Sequence, residues 1–120
     1  MSCEVGFLDG KCLFCEISAG RIPADIVYGD EDVIVVRDIA PQAPVHLLII
    51  PREHVESAAH VRKPEVWSKV MDCAVQTASR LGFAPDGYRL VINCGEQAGQ
   101  TIPHLHIHLL AGRSFRWPPG

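Results

Sequence analysis

The stretch TIPHLHIHLLAGR, residues 101–113, places three of the chain's six histidines at alternate positions. They are His104, His106 and His108, with Leu105, Ile107 and Leu109 between and after them. Because successive side chains of a β-strand point to opposite faces of a sheet, this alternation predicts a strand over residues 102–110. We expect the histidines to share a face that lines a cleft or meets water, while the apolar side chains face the core. Three incidental histidines on a solvated strand are the alternative interpretation.

Outward from this strand, short β-branched segments and one long amphipathic segment predict the rest of the fold. The predicted strands are residues 26–28, 33–37, 46–50 and 88–93, and the predicted helices are residues 12–18 and a longer segment that begins at Pro64 and ends before Gly82. The expected core-facing side of the longer helix is Trp67, Val70, Met71, Ala74, Ala78 and Leu81, at three- and four-residue steps. Four or five strands joined by short turns, with helix cover, predict an antiparallel sheet and an α+β fold.

Length and composition predict a single domain over residues 1–120, with a loose lead-in at residues 1–11 and a C-terminal tail at residues 114–120. The formal charge of −3 gives no electrostatic reason for binding nucleic acid or an anionic membrane. The first residues lack the apolar segment of a signal peptide, and the densest apolar run, residues 47–50, is too short to span a bilayer. We therefore expect a soluble cytoplasmic protein.

The five cysteines, an odd number in a chain without a secretion signal, argue against a disulfide framework. Cys73 and Cys94 lie in apolar patterns and are expected to be core residues. Cys12 and Cys15 form a C-x-x-C pair, a spacing found in zinc sites and in redox centres. The redox interpretation lacks the βαβ pattern that usually surrounds it, and a pair of buried free thiols is the third interpretation.

A zinc ion held by Cys12 and Cys15 needs two further ligands, and His54 and His104 are the candidates. His54 follows the strand predicted to end before Pro51, and His104 lies at the start of the histidine strand. Four protein ligands leave no open coordination position. Such a zinc would be structural and would attach the N-terminal segment to the sheet.

The other two histidines, His106 and His108, are then available for chemistry. The outer two of the three histidines lie about 13 Å apart along a flat strand, too far to bind one ion together. A neutral imidazole is a good nucleophile near pH 7 when an acceptor, such as a main-chain carbonyl, holds its other nitrogen. The preceding loop offers phosphate-binding groups at Asn93, Gly95, Gly99, Gln100 and Thr101. Together these features predict a phosphoryl- or nucleotidyl-transfer site.

These residues belong to a longer resemblance. HLHIHLL is similar to the His-x-His-x-His-x-x pattern of the histidine triad superfamily. Four segments resemble the nucleotide-binding branch of that superfamily: CLFCEISAGRIPADIVYGDE, DIAPQAPVHLLIIPREH, NCGEQAGQTIPHLHIHLLAGR and RWPPG. The resemblance covers residues 11–120. It implies a five-stranded antiparallel sheet with one long and one short helix, and a homodimer in which two such sheets become one. Pro103 departs from the pattern, since relatives often have an aromatic residue there.

The resemblance also implies a purine nucleoside phosphoramidase that carries structural Zn²⁺ on the four ligands named above. Such enzymes cleave the P–N bond of AMP or GMP joined to an amine, through a nucleotidyl-histidine formed on the middle histidine, His106. The implied supporting groups are the His104 carbonyl, which orients His106, and His108, His46, Asn93, Gly99 and Thr101, which hold the phosphate and assist proton movement. The implied nucleoside contacts are Asp38 for the ribose hydroxyls, Phe14, Ile17, Ile22, Val36, Ile39 and Leu48 for an apolar base slot, and Trp117 toward the partner's site.

Two other functions stay open at this point. A dinucleoside polyphosphate hydrolase comes from the same superfamily, although the Trp-Pro-Pro-Gly ending disfavours it. A nucleotide-binding or zinc-dependent interaction module would carry the same residues without turnover. Outside these patterns, His60 is expected to be a surface residue, and Arg113 and Arg116 are expected to be solvated residues of the tail.

Overall fold

The structure is a computed structural model that describes residues 7–8 and 11–120. Its strands are β1 (Phe7–Leu8), β2 (Lys11–Cys12), β3 (Ile26–Gly29), β4 (Val33–Arg37), β5 (Val45–Pro51), β6 (Arg89–Val91) and β7 (Ile107–Ala111). Its helices are α1 (Leu13–Ser18), a 3₁₀ turn (Ala58–His60) and α2 (Pro64–Arg80). The predicted loose lead-in lies partly outside the described residues, and Cys3 lies outside them. Within the described part, β1 pairs with β2, so the lead-in contains a short antiparallel pair.

The main sheet has five strands in the order β3-β4-β5-β7-β6, and all neighbours are antiparallel. The predicted α+β fold, with a five-stranded antiparallel sheet, one long helix and one short helix, is confirmed. Helix α2 packs against β5 and β7, and α1 belongs to the other apolar cluster of the sheet. The sheet is therefore covered by helix on both faces.

Strands β4 and β5 divide their side chains between two apolar clusters. The cluster under α2 takes Val33, Val35, Leu47 and Ile49 from these strands, together with Ile107 and Leu109 of β7. The cluster under α1 takes Ile34, Val36, Leu48 and Ile50. Residues on both faces are buried, which explains why these strands read as continuous apolar runs rather than as an alternation of apolar and polar residues.

Helix α2 begins as expected, with Pro64 in the first turn, where its missing N–H costs no hydrogen bond. It ends at Arg80, and Gly82 adopts a positive φ of 85° just after it. Two residues expected on its core-facing side, Met71 and Leu81, are exposed instead. The buried positions of the helix are Val66, Val70, Cys73, Ala74, Thr77 and Ala78.

The predicted last strand was too long at its start. β7 begins at Ile107, so His104 and His106 precede it and only His108 lies within it. The pairing of β7 with β5 stops at Ile49 and Ile107, although β5 itself continues against β4 to Pro51. Residues 102–106 run without a strand neighbour, and the Leu105 amide donates to the Val55 carbonyl at 2.6 Å instead.

The expectation that all three histidines meet a cleft or water was wrong for His104, which is fully buried. His106 keeps 7% of its surface exposed, and His108 is half-buried. Smaller differences are that α1 starts after Cys12, which pairs with Phe7, and that β6 is three residues long. None of the helices among the described residues has the length and apolar character needed to cross a bilayer.

Candidate metal centre and active site

Four side chains converge where α1 meets the segment that precedes β7. They are Cys12, Cys15, His54 and His104, and one ligand atom from each lies within 4.8 Å of all the others; we call them the metal cluster. The Nδ1 atoms of His54 and His104 are 3.1 Å apart. The Sγ atom of Cys15 lies 3.3 Å from His54 Nδ1 and 3.6 Å from His104 Nδ1, and Cys12 Sγ lies 3.4 Å from His104 Nδ1. The structure therefore brings the four predicted ligands together.

These distances fit a tetrahedral zinc ion. With Zn–N bonds of about 2.0 Å and Zn–S bonds of about 2.3 Å, neighbouring ligand atoms of a tetrahedron lie about 3.3 to 3.8 Å apart. The separations observed in the metal cluster agree with these values to within a few tenths of an ångström. Two thiols and two imidazoles are also a donor set that zinc prefers.

A hydrogen bond to a residue outside the metal cluster orients the imidazole of His104. Its Nε2 lies 2.8 Å from the carbonyl oxygen of Pro51, the last residue of β5. A ring nitrogen that is hydrogen-bonded to a carbonyl oxygen must carry the hydrogen. The lone pair of the neutral ring is therefore on Nδ1, which faces the thiols. Burial lowers the pKa of His104 to about 4, which keeps the ring neutral. Sequence reasoning had no means of identifying the Pro51 carbonyl, because β5 places it there.

The main-chain carbonyl of the same residue orients the middle histidine. His106 Nδ1 lies 2.7 Å from the His104 carbonyl oxygen, so Nδ1 carries the hydrogen and the lone pair of the neutral ring is on Nε2. Burial lowers the pKa of His106 and favours this neutral form. The ring packs edge-on against Phe14 of α1, with centroids 5.1 Å apart, and lies 4.9 Å from the ring of His108.

A second group of polar side chains surrounds His108. His46 Nε2 lies 2.8 Å from His108 Nδ1, and Asp38 Oδ2 lies 3.4 Å from the same His46 atom. Burial lowers the pKa of His46, against the opposing effect of Asp38, and burial together with the neighbouring histidines lowers the pKa of His108 to about 4. We call Asp38, His46, His106 and His108 the histidine cluster. Its side chains come from β5, β7 and the segments that flank them.

The apolar residues implied for a base slot fall into two groups. Phe14, Ile17, Val36 and Leu48 are buried together in the cluster under α1, and Ile22 packs against it. Ile39 is fully exposed and lies outside that cluster. Phe14 is the member that touches both histidine environments, since its ring also lies 5.8 Å from that of His104.

The loop before β7 is held by a side chain that was proposed as a phosphate ligand. Gln100 accepts from the Gly95 amide at 2.9 Å and donates to the carbonyls of Glu56 and Ile102. Gly99 adopts a positive φ of 88°, which permits the tight turn. Asn93 is half-buried, whereas Gly99 and Thr101 are exposed. Gln100 thus stabilises the loop that carries Asn93, Gly99 and Thr101.

Cys94 differs from its sequence-based interpretation, and two exposed residues have hydrogen-bond partners that the sequence did not indicate. Cys94 is exposed rather than in the core, and hydrogen bonding to Ser57 lowers its pKa. His60 is exposed, as expected, but its Nδ1 lies 2.6 Å from Ser57 Oγ. Arg113 is exposed yet engaged, because it donates to the Gln42 carbonyl at 3.0 Å and its guanidinium stacks on Phe115. The four described cysteines form no disulfide, and Cys73 is buried as expected.

Two features of the connecting segments complete the site. Trp117 is 82% exposed in the tail, so within one chain its side chain is available to a second surface. Gln42, which no sequence pattern singled out, donates its main-chain N–H to His46 Nδ1 at 3.0 Å. Its position between Pro41 and Pro44 was the available signal, since prolines there restrict the backbone.

A buried imidazole aimed by a carbonyl, a second histidine beside it and a Cys₂His₂ cluster define a histidine triad type of site. Residues 19–115 match the HIT domain family, which is most of the chain, so the chain belongs to that family.

Solved structures agree with this assignment. A HIT family hydrolase from Legionella pneumophila is 44% identical, with a TM-score of 0.89 over 92% of this chain and 100% of that one. A Zn-bound histidine triad family protein from Mycobacterium smegmatis is 32% identical, with a TM-score of 0.77 over 91% and 84% of the two chains. A histidine triad nucleotide-binding protein from Candida albicans is 27% identical, with a TM-score of 0.77 over 92% and 85%.

Proposed function

We propose that this protein hydrolyses the P–N bond of purine nucleoside phosphoramidates through a covalent nucleotidyl-histidine on His106. The observation that carries the proposal is the 2.7 Å contact between His106 Nδ1 and the His104 carbonyl. It fixes the tautomer in which Nε2 holds the lone pair, as a nucleophile requires. The HIT family membership and the similarity to a HIT family hydrolase support a hydrolytic reaction.

The reaction has two steps in this site. His106 Nε2 attacks the α-phosphorus, a P–N bond forms to the imidazole, and the P–N bond to the amine breaks as that nitrogen, which accepts a hydrogen bond from His108, takes a proton from solvent. A water molecule then attacks the same phosphorus and releases its proton to solvent, the P–N bond to His106 breaks, and the nucleoside monophosphate leaves. No oxidant or further reactant is needed. His108 is suited to contact the departing nitrogen because its ring lies 4.9 Å from that of His106.

The nucleotide itself would be held by groups on either side of His106. The loop of Asn93, Gly99 and Thr101 would contact the phosphate, and Asp38 the ribose hydroxyls. The purine would pack against the apolar cluster of Phe14, Ile17, Ile22, Val36 and Leu48, and against the exposed side chain of Ile39, which lies outside that cluster. The name of the Candida albicans neighbour, a nucleotide-binding protein, supports this part of the proposal.

The metal cluster is proposed to bind one structural Zn²⁺ per chain. When bound, the ion would cross-link α1 and the segment before β7 and would supply no open position for catalysis. The Zn-bound relative from Mycobacterium smegmatis supports the identity of the metal. Elemental analysis of protein purified without added metal should give about one zinc per chain. Zinc-free protein with unchanged stability in chelator would reject this part.

A homodimer is also proposed. Strand β6 lies at the edge of the main sheet, where a second copy could extend it. The exposed Trp117 would then be free to approach the partner's site. Sedimentation equilibrium should give twice the chain mass. A single-chain mass at working concentration would contradict the dimer while leaving the chemistry of each site untouched.

The deciding experiment compares substrates and traps the intermediate. The purified protein is incubated with adenosine and guanosine phosphoramidates and, in parallel, with diadenosine polyphosphates. We expect the phosphoramidates to turn over faster, and acid-quenched protein to carry a nucleotidyl group on His106 by peptide mass spectrometry. Faster cleavage of the dinucleotide would favour the polyphosphate hydrolase, and binding without turnover of either would favour the non-enzymatic module.

A further inference from the structure

We infer that the main-chain amide of Gln42 is a positioning group that sets which nitrogen of His46, and through it of His108, carries the hydrogen. Two hydrogen bonds join three residues, Gln42, His46 and His108. The Gln42 N–H donates to His46 Nδ1 at 3.0 Å, and His46 Nε2 lies 2.8 Å from His108 Nδ1. The remaining ring nitrogen is His108 Nε2, on the ring beside His106.

When the His46 ring is neutral, its contact with the Gln42 amide fixes which ring nitrogen carries the hydrogen. A main-chain amide can only donate, so His46 Nδ1 is the acceptor and the single hydrogen of the imidazole is on Nε2. Burial lowers the pKa of His46, which favours the neutral ring. The carboxylate of Asp38, 3.4 Å from that Nε2, favours a hydrogen there as well.

The second contact then follows from the first. Since His46 Nε2 carries the hydrogen, it donates to His108 Nδ1, which must be the acceptor. The hydrogen of neutral His108 is therefore on Nε2, the nitrogen turned away from His46. This tautomer presents an N–H to the departing amine. The Gln42 amide thereby controls a ring that it does not touch.

The same geometry argues against a cation among these side chains. Asp38, His46 and His108 have the residue types and the spacing of a metal site. A cation between them would need the lone pair of His46 on Nε2, which would move the hydrogen to Nδ1 and face it toward the Gln42 N–H. That amide has no lone pair to accept it, so the arrangement favours a hydrogen-bonded chain over a metal ion.

Other contacts hold the Gln42 amide in place. The Gln42 side-chain amide donates to the Ala40 carbonyl at 2.9 Å, and the Ala40 amide donates to Asp38 Oδ1 at 2.8 Å. Arg113, just after β7, donates to the Gln42 carbonyl at 3.0 Å. The segment between β4 and β5 is thus tied both to Asp38 and to the start of the C-terminal tail.

The role of these hydrogen bonds in turnover rests on the proposed function, in which His108 donates a hydrogen bond to the leaving amine. The tautomers themselves do not depend on that proposal and are measured separately. Long-range ¹H–¹⁵N spectra of histidine-labelled, zinc-loaded protein distinguish the protonated ring nitrogen from the bare one. In the wild-type protein near neutral pH, we expect His46 and His108 both to carry the hydrogen on Nε2. A wild-type spectrum with the hydrogen on Nδ1 of either ring overturns the inference.

Two substitutions at one position separate the main chain from the side chain. Gln42→Pro deletes the amide hydrogen, whereas Gln42→Ala keeps it and removes only the side chain. We expect Gln42→Ala to retain both tautomers and Gln42→Pro to lose the single Nε2–H form at His46 and His108. Unchanged spectra in folded Gln42→Pro would contradict the role of the amide.

A second pair covers the case in which proline disrupts the loop. The side-chain amide of His46→Gln can still donate to His108, but His46→Leu cannot. His108 should therefore keep its Nε2 hydrogen in His46→Gln and lose the single tautomer in His46→Leu. The same His108 spectrum in both variants would overturn the relay.

Turnover measurements test whether the Gln42 amide contributes to catalysis. With an adenosine phosphoramidate, we expect kcat of Gln42→Pro to fall about 10- to 100-fold, the range for groups that orient a reacting side chain, with KM changed by less than about threefold. Altered tautomers with an unchanged kcat would reject the positioning role and leave the tautomer assignment intact. Absence of turnover in the wild-type protein would instead reject the proposed function.

Discussion

His104 and His106 are two residues apart and both buried, yet they belong to clusters of opposite character. In the metal cluster, the Nδ1 atom of His104 faces a second imidazole nitrogen and two sulfurs. In the histidine cluster, each ring nitrogen with a described contact faces a group of complementary type, such as the carbonyl that meets His106 Nδ1. The difference lies in what the backbone offers each ring: a carbonyl of β5 to His104, and the carbonyl of His104 itself to His106.

This difference teaches which cluster depends on a cation. Lone pairs that converge at 3.1 to 3.6 Å repel one another unless a cation or a proton lies between them. Donor–acceptor pairs are stable without one. The metal cluster should therefore lose its order when zinc is removed, whereas the histidine cluster should keep its geometry and lose function only when a ring is removed.

The largest expected effect separates the two clusters by activity. His106→Ala should lower kcat with an adenosine phosphoramidate by at least about 10⁴-fold, because it removes the nucleophile. Zinc content should stay at the wild-type value, and the circular dichroism spectrum should not change. Turnover that persists within tenfold of the wild type would exclude His106 as the nucleophile. His104→Ala is the matched variant: it keeps the carbonyl that orients His106 but should lose zinc.

The next effect tests the metal cluster by stability. Cys12→Ser should abolish tight zinc binding and lower Tm by at least about 10 °C, since binding energy of a structural metal is also folding energy. Cys94→Ser is the control, because Cys94 is exposed and lies outside the cluster; it should keep zinc and shift Tm by no more than about 3 °C. Equal losses of zinc in both variants would contradict the assignment of the ligands.

The sequence predicted the fold well and grouped four candidate metal ligands because both depend on local patterns and on chemistry. β4 was predicted with its observed bounds, and the starts of β3 and α2 were also correct. The C-x-x-C spacing and two histidines sufficed to name four residues that the structure brings together. The start of β7 could not be predicted, because it is set by where its pairing with β5 stops and not by the alternation of residues 102–106.

The positioning groups of the site were beyond sequence reasoning for a similar reason. The carbonyls of Pro51 and His104 and the amide of Gln42 are main-chain atoms, so residue type says nothing about them. His46 was named on resemblance, but its link to His108 exists because His46 and His108 lie on adjacent strands. Ile39 was assigned to the base slot, but it is exposed in the single chain. Its apolar residue type therefore did not predict its position.

The pH dependence of stability gives a smaller effect that is specific to the histidine cluster. The pKa of His108 is about 4 in the folded chain, chiefly because the ring is buried, and about 6.5 in the unfolded chain. Between these values the unfolded chain binds a proton that the folded chain does not, so the free energy of unfolding falls as the pH falls. Urea unfolding at about pH 7 and about pH 5 should show this loss.

His108→Asn supplies the comparison for that measurement. The variant lacks the titrating ring, so it should lose less stability than the wild-type protein over the same pH interval. The metal cluster titrates in both proteins, and its contribution cancels in the difference. Equal losses in the two proteins would show that His108 keeps an ordinary pKa when folded.

The smallest effect concerns Phe14, whose ring contacts a histidine of each cluster. Phe14→Leu keeps most of the apolar volume but removes the edge-on ring contacts, so unfolding should cost about 1 kcal/mol less. Because the contact with His106 is lost, kcat should also fall, by about two- to tenfold. Phe83→Leu is the control, since Phe83 packs against the cluster on the α2 face. It should reduce stability by a similar amount and leave kcat within about twofold. Equal effects of the two substitutions on kcat would mean that Phe14 supports the fold alone and that the two clusters are not joined through its ring.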